Sequence, residues 1–506
     1  MVKKLYTESY IQNIADAIRE VNGKTTKYYV RQMAEAILDL GGGDNILDNG
    51  AGVGVVDLAT KVTAISDYKM YNADMLETVE ASNLNSLGHN TFEECGNLYS
   101  VKTHQGLALN EQTFRYCTKL YKVCPEDVNY VGTVSAIPFT SVTLAENPHG
   151  NPMSYQTVSD YQFSEGDLVF NEADSKLYIY DGSAWSIFIP EHGLGAGKNA
   201  FNNTPHLSVL PFAVYNVYGP TIALTYKTNS FCNSSLRNVY LDADNFTSYD
   251  RGSIAENMFE SATKLEKVWV IKNGQLSDDI SLIFTAISNG MFNKTTLLKS
   301  MTFTNVTALY QRCFSQSVID RIIAPNVTAV GEPMCDGCPN LTEIVIGAIT
   351  SLPRYFAASC PNLEKVSIGN GTAGLSLTNW NPVMFIDCTK LWQLTLNTTT
   401  MAVAATDERQ GFNNTPILNF LGTTTTEITE GSTATSVEIN GSTVTATNNK
   451  IVSYGGKDWI LTSGSLTEWG TDGDKHPCIK VPSALIPSYK ADQYWSLFNE
   501  ELWTAL

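Results

Sequence analysis

The sequence predicts an α+β chain whose larger part is an irregular solenoid, preceded by a helical hairpin, interrupted by a small β insertion and closed by a β cap. Three observations carry that prediction. A spaced pattern, FxxCxxLxxV with near copies, returns from residue 92 to residue 421. Residues 1–41 show helical spacing of apolar side chains and no copy of the pattern. Segments around 163–180 and after 421 alternate apolar and polar residues, which is the period of a half-buried strand.

The first element runs over 1–41. Ile11, Ile14, Ile18 and Val21 share one helix face that ends at Asn22-Gly23, where glycine takes the left-handed C′ position. A second helix from about Lys27 turns Val30, Met33, Ile37 and Leu40 inward and stops at Gly41-Gly42-Gly43. Such a hairpin is too small to be stable alone. Its core residues Ile11, Ile14, Ile18, Met33 and Ile37 are the candidate assembly interface.

The pattern itself occupies 42–135 and 196–421. It reads Phe92/Cys95/Leu98/Val101, Phe114/Cys117/Leu120/Val123, Phe201/Thr204/Leu207/Leu210, Phe259/Ala262/Leu265/Val268 and Phe292/Thr295/Leu298/Met301. It continues as Cys335/Cys338/Leu341/Ile344, Ala357/Cys360/Leu363/Val366, Phe385/Cys388/Leu391/Leu394 and Phe412/Thr415/Leu418/Leu421. Several neighbours lie 22 residues apart. The aromatic and small residues are expected to share one face of a short helical turn, and the Leu/Val pair to lead into a strand. No single coil buries its apolar face without a neighbour. The register is expected to slip by one at Phe314 and to loosen near Phe231. These residues resemble the BspA-like, or Treponema-type, leucine-rich repeats of bacterial surface proteins and bacteriophage virion proteins. The resemblance covers about two thirds of the chain and implies a leucine-rich-repeat solenoid, with adhesion or display as the associated function.

Residues 136–195 form the insertion. Phe163–Phe170 and Lys176–Trp185, joined by turn residues, make a β-hairpin. The string GDLVFNEADSKLYIYDGSAW resembles short β modules of phage tail fibres. Tyr178, Tyr180 and Trp185 either pack this module or stack on sugar rings of a glycan. Residues 422–506 turn to Thr, Ser and Gly and then alternate, as a β cap would. The closing KVPSALIPSYKADQYWSLF resembles the end of other BspA-like proteins, where a strand and a short helix finish the last coil.

Charge and chemistry narrow the function. A net charge of -18 argues against nucleic acid as a partner, and no long apolar run predicts membrane insertion. Cys95, Cys117, Cys338, Cys360 and Cys388 fall on the small-residue position of the repeat, which predicts reduced core thiols. The Cys335/Cys338 pair lacks the second ligand pair of a zinc site. Asp242, Asp244 and Asp250 lack the calcium-loop pattern, the glycines of 50–54 are followed by the repeats and not by the alternating strands and helices of a cofactor fold, and those of 193–197 lack the flanking residues of a phosphate loop. No metal, cofactor or catalytic residue is expected.

The N-terminal string IQNIADAIREVNGKTTKYYVRQMAEAI resembles the first segment of many phage tail and appendage proteins, which implies docking. No secretory signal follows Met-Val-Lys-Lys-Leu, so assembly in a host cytoplasm is expected. The expectation is a non-enzymatic virion protein, such as a tail fibre, baseplate appendage or receptor-binding protein. It would form a homo-oligomer, touch other virion proteins through 1–41 and meet a host glycan or protein. An exported bacterial adhesin, a head fibre and a tail-associated depolymerase are the alternatives.

Overall fold

The computed structural model describes residues 54–506 apart from 58–61, 82–83, 85, 104–108, 121, 126–128, 146–154, 159–160, 190–197, 206, 208–223, 245, 250–254, 370, 372–375, 378–382, 405, 434–435, 446–448 and 470–474. The hairpin expected over 1–41, and with it the main helical part of the α+β class, lies outside the described residues. Those residues are mostly strands and turns. Their α-helices are short, at Pro416–Asn419 and Ile486–Ala491. The chain divides into two compact units, Met1–Asp278 and Asp279–Leu506.

In the first unit, Gly54–Asp57, Leu76–Ala81, Ser100–Thr103 and Lys122–Pro125 make a parallel sheet in which Val79 pairs with Val101 and Val101 with Val123. Strands Asn238–Asp242 and Lys267–Lys272 pair in parallel later in this unit. In the second unit the parallel sheet runs through Arg321–Ala324, Glu343–Ile346, Lys365–Ile368 and Gln393–Leu396. A second parallel sheet of two-residue strands, Ala286–Ile287, Ala308–Leu309 and Ala329–Val330, accompanies it. Each coil therefore has a short strand, a turn and a longer strand.

The turn is not a helix. The Cys95 N–H donates to the Phe92 carbonyl and the Leu98 N–H to the Cys95 carbonyl, at 3.2 and 3.1 Å. The same pair of bonds joins Phe114, Cys117 and Leu120, and again Phe385, Cys388 and Leu391. The three-residue spacing of the repeat is thus the span of successive i→i+3 turns, each corner side chain pointing inward.

Neighbouring turns are tied by backbone. The N–H groups of Asn90, Phe92 and Glu94 donate to the carbonyls of Glu111, Thr113 and Arg115 in the next coil, at 2.8 to 3.0 Å. Those of Gln112, Phe114 and Tyr116 do the same to Lys198, Ala200 and Asn202, and those of Gly290, Phe292 and Lys294 to Gln311, Cys313 and Ser315. This ladder needs residues with positive φ at two positions four apart, such as Asn90 and Glu94, Asn199 and Asn203, Asn229 and Asn233, or Arg312 and Gln316.

Inside the ladder, phenylalanine rings stack in a column. In the first unit Phe92, Phe114, Phe201, Phe231 and Phe259 follow one another at centroid separations of 5.3, 5.4, 5.8 and 5.4 Å. Phe231 accordingly heads a full coil, with Ser234 in the small position donating to the Phe231 carbonyl. Phe314 stacks on Phe292 at 5.7 Å with their planes 6° apart, and the expected slip follows within that coil, where Ile319 and Ile322 are buried and Ile323 is exposed. One residue is lost just beyond it, between Phe314 and Cys335.

The small position explains its own composition. Cys95, Cys117, Cys360 and Cys388 reach back to donate Sγ–H to the carbonyls of Met70, Phe92, Cys335 and Ala357 in the preceding coil. Thr204, Thr295 and Thr415 instead donate to the carbonyl three residues earlier in their own coil. Only a short side chain fits the space, and where it carries a donor, as Cys and Thr do but Ala262 does not, it bonds a carbonyl. Cys95, Cys117, Cys313, Cys335, Cys338, Cys360, Cys388 and Cys478 are buried free thiols, and Cys232 is a half-buried one.

Glycine appears where coils approach most closely. A Cβ on Gly331 would overlap the backbone of Tyr310 and Gln311, and one on Gly88 the backbone of Ser66 and Asp67.

The segment expected as a cap divides in two. Phe420–Thr423, Lys450–Tyr454, Lys457–Leu461 and Leu466–Glu468 form their own sheet, over a core of Ile428, Val437, Val452, Trp459, Leu461 and Leu466. Beyond it, Cys478–Val481 and Trp503–Ala505 rejoin the parallel repeat sheet next to Gln393–Leu396. Between those strands, Phe498 meets Phe412 edge-on at 5.4 Å and so covers the final ring of the column.

Candidate functional site

The inserted sheet carries the sequence-predicted aromatic residues. It begins at Asn129, ahead of the expected boundary at 136, because Asn129–Val134 pairs in parallel with Asp167–Asn171. Asp167–Asn171, Lys176–Tyr180 and Trp185–Ile187 then follow as antiparallel neighbours.

Strand alternation sorts its side chains. Leu168, Phe170, Leu177 and Ile179 face one way and pack on Tyr240, Trp269 and Ile271 of the repeat strands. The seam is pinned by polar bonds: the Trp269 Nε1–H donates to the Ser175 carbonyl at 2.9 Å, and Arg237 bridges Glu172 and Glu266 at 2.8 and 2.7 Å. The module is therefore held by an apolar face and buried hydrogen bonds rather than by surface ion pairs alone.

Tyr178, Tyr180 and Trp185 lie on the opposite face. Tyr178 and Trp185 pack with Phe139, Tyr161 and Phe163 against Val131, Val142 and Val169. The Trp185 ring sits 4.9 Å from Phe163, 5.6 Å from Phe139 and 5.1 Å from Tyr180. All these rings are half-buried. Packing and presentation are thus combined: each ring is fixed by its neighbours while part of it remains open to solvent.

The polar groups around the rings are equally fixed. Tyr178 Oη donates to Asp174 at 2.8 Å, and burial followed by this bond raises its pKa. Burial, then the Asp167 charge, raises that of Tyr161. Both are neutral hydroxyls at neutral pH. Next to Tyr180, the Asp181 Oδ1 accepts from the Ala184 N–H and from the Ser183 N–H and hydroxyl, at 2.7 to 2.8 Å. The Ala184 bond first, then those of Ser183, hold this carboxyl below its usual range. The result is an aromatic platform beside an ionised acceptor.

The residues expected as an assembly interface, Ile11, Ile14, Ile18, Met33 and Ile37, lie outside the described residues. A second surface was missed in the sequence. On the turns of the first unit Tyr68, Tyr71 and Tyr116 are exposed, Tyr68 by 56%. Arg115 lies over the Tyr116 ring at 4.6 Å and pairs with Glu93, while Tyr71 donates to Glu94. Tyr68 and Tyr116 have positive φ. The signal that finds this edge is the recurrence of left-handed residues, often Asn, at the spacing of the coils.

Among the described residues no group of His, Cys, Asp and Glu could hold a metal ion. No described helix is long and apolar enough to cross a membrane. Asp244 is taken up by Lys272 at 2.9 Å and by the Asn273 N–H.

Fold and site together define a repeat protein of stacked, backbone-tied coils that presents aromatic side chains from a docked module. Six copies of the BspA type leucine rich repeat region match at residues 45–166 and 274–392, so those coils are similar to BspA-type leucine-rich repeats. The coils of Phe201, Phe231 and Phe259 lie outside those spans and keep the same ladder. No curated protein matches the chain. Among solved structures it is similar to a leucine-rich repeat protein from Eubacterium ventriosum, with 16% identity over 77% of this chain and 95% of that one and a TM-score of 0.34. A leucine-rich repeat protein from Bacteroides ovatus shows 15% identity over 73% and 77%, with a TM-score of 0.36. A leucine rich cell surface protein from Faecalibacterium prausnitzii shows 14% identity over 72% and 88%, with a TM-score of 0.33.

Proposed function

We propose that this chain is a non-enzymatic attachment protein of a bacteriophage particle, which uses its repeats as a support and its inserted module to contact a host-surface glycan. The half-exposed platform of Tyr180 and Trp185, beside the Asp181 acceptor, carries the reading. Flat rings with open faces bind the C–H face of a sugar, and a fixed carboxylate accepts from its hydroxyls. The resemblance of the N-terminal string to phage appendage segments supports docking through residues 1–41, where copies of the chain and other virion proteins would meet.

Two experiments test it. Full-length protein should bind intact host cells, and Trp185→Ala with Tyr180→Ala should reduce that binding at least about tenfold, the equivalent of about 1.4 kcal/mol, while the circular dichroism of the folded repeats is retained. Mass spectrometry of purified particles should find the protein, and deletion of residues 1–41 should remove it from them. Detection on the surface of uninfected cells and absence from particles would replace this reading by the adhesin one.

A further inference from the structure

The second unit contains a cavity of about 350 Å³ between the Pro416–Asn419 helix and the open face of the Lys450–Tyr454 and Lys457–Leu461 strands. That volume is at the small end of ligand pockets. Its chemistry is specific. Among the described residues the lining is made of amides, hydroxyls and apolar side chains, with no ionisable residue. The amides are Asn414, Asn419 and Asn449, the hydroxyls include Thr462 and Ser463, and the apolar surface comes from Ile451, Ile460 and Trp469.

Several of these groups are already oriented. The Asn414 amide donates to Asp387 at 2.6 Å, Asn419 Oδ1 accepts from Lys450 Nζ at 3.0 Å, and Thr462 Oγ1 meets Ser465 Oγ at 2.9 Å. Each bond fixes a side chain while leaving it other donor or acceptor positions. Among the described residues nothing bonds to the Asn449 or Ser463 side chains, and both are exposed. Ile451 pairs directly with Ile460 across the two strands and supplies a flat apolar floor.

We infer that this cavity binds a neutral saccharide. A charged ligand would find amides and hydroxyls in the described lining, the nearby Asp387 and Lys450 being already bonded to Asn414 and Asn419, and the net charge of -18 repels anionic sugars further. A neutral sugar matches both surfaces: its hydroxyls donate and accept, as do amides, and its C–H face covers the isoleucines and Trp469. Preoriented partners reduce the ordering cost on binding. The site lies on different residues from the Tyr180/Trp185 platform and stands without it.

The test is titration of the full-length protein with neutral disaccharides (cellobiose, maltose, lactose and diacetylchitobiose) and with glucuronate, followed by calorimetry and tryptophan fluorescence. At least one neutral disaccharide should bind and quench fluorescence, and glucuronate should not bind. Asn449→Ala should weaken binding about tenfold through loss of one or two hydrogen bonds. The exposed Ser463→Ala, which removes only a hydroxyl, should also weaken it, and Trp185→Ala should leave it unchanged. Failure of every neutral disaccharide to bind, equal binding of glucuronate, or unchanged affinity in both cavity variants would overturn the assignment. Loss of binding in Trp185→Ala alone would overturn it while supporting the platform.

Discussion

Phe114 provides a quantitative test of the ring column. Its side chain is fully buried, with Phe92 stacked on one side at 5.3 Å and Phe201 on the other at 5.4 Å, planes within 3° and 15°. Leucine at this position retains most of the apolar burial but has no ring. Aromatic pairs contribute about 0.5–1.5 kcal/mol beyond their buried area, so Phe114→Leu should cost about 1–3 kcal/mol. Among the described residues Phe92 stacks on Phe114 alone, because Met70 occupies the equivalent place in the preceding coil and its N–H donates to the Thr91 carbonyl. Phe92→Leu should therefore cost about half as much. Hydrogen exchange suits the measurement, since a repeat array opens locally and a single global midpoint would average its coils. The amides of Gln112, Phe114 and Tyr116, which form the ladder, should lose protection by those amounts. Equal losses in the two variants, or a larger one in Phe92→Leu, would show that the stacked rings are spectators of the backbone ladder.

Other perturbations follow from the same geometry. Leu341→Ala and Leu363→Ala, both at fully buried positions, should each lower stability by about 2–5 kcal/mol in denaturant titrations. Gly331→Ala should cost about 1–3 kcal/mol or more, because its methyl group would displace the backbone of the preceding coil. His476 Nδ1 lies 3.0 Å from Asp458, and this bond, against an opposing effect of burial, raises its pKa; the charges of Asp458 and Glu501 add to the rise. A raised folded value means that its stabilisation is complete below the unfolded pKa of about 6.5 and is lost as pH climbs through the folded one. Melting temperature should fall across that window, and His476→Gln should flatten the fall. In native protein the buried thiols should resist a thiol reagent, with the half-buried Cys232, pushed up to about 11 by burial and Glu260, reacting first. Unfolded under reducing conditions, the chain should titrate all ten cysteines.

What the sequence makes legible is what side chains decide. Phe92, Cys95 and Leu98 must be apolar or small because they are corners facing the core, so their spacing shows directly. The ladder is made by backbone groups, and its left-handed positions accept Asn90, Gln112, Tyr116, Lys294 and Arg312 alike. Only an excess of asparagine marks them. A spacing of three also fits a helix as well as a train of turns, which is why the turn was expected to be helical. Phe231 is obscured because Arg237 stands where the six-residue spacing would place leucine, while Leu236 supplies the buried side chain one residue earlier. The platform residues Tyr178 and Tyr180 follow from strand alternation. The cavity does not: Asn414, Asn449 and Trp469 come from separate segments, and only the fold assembles them.

The ladder has a consequence for how such a chain can grow. Successive rings of the first unit's column are Phe92, Phe114, Phe201, Phe231 and Phe259, separated by 22, 87, 30 and 28 residues. Yet the Phe114 N–H meets Ala200 at 2.8 Å as squarely as the Phe92 N–H meets Thr113 at 2.9 Å. The backbone recognises a place of re-entry and is indifferent to the distance travelled before it. Loop closure becomes only slowly costlier with length, so an excursion between two rungs can be exchanged for another of different size without disturbing the coils on either side. The repeat stack thus works as a socket: the segment between two rungs can be replaced as a whole module while the supporting core stays the same.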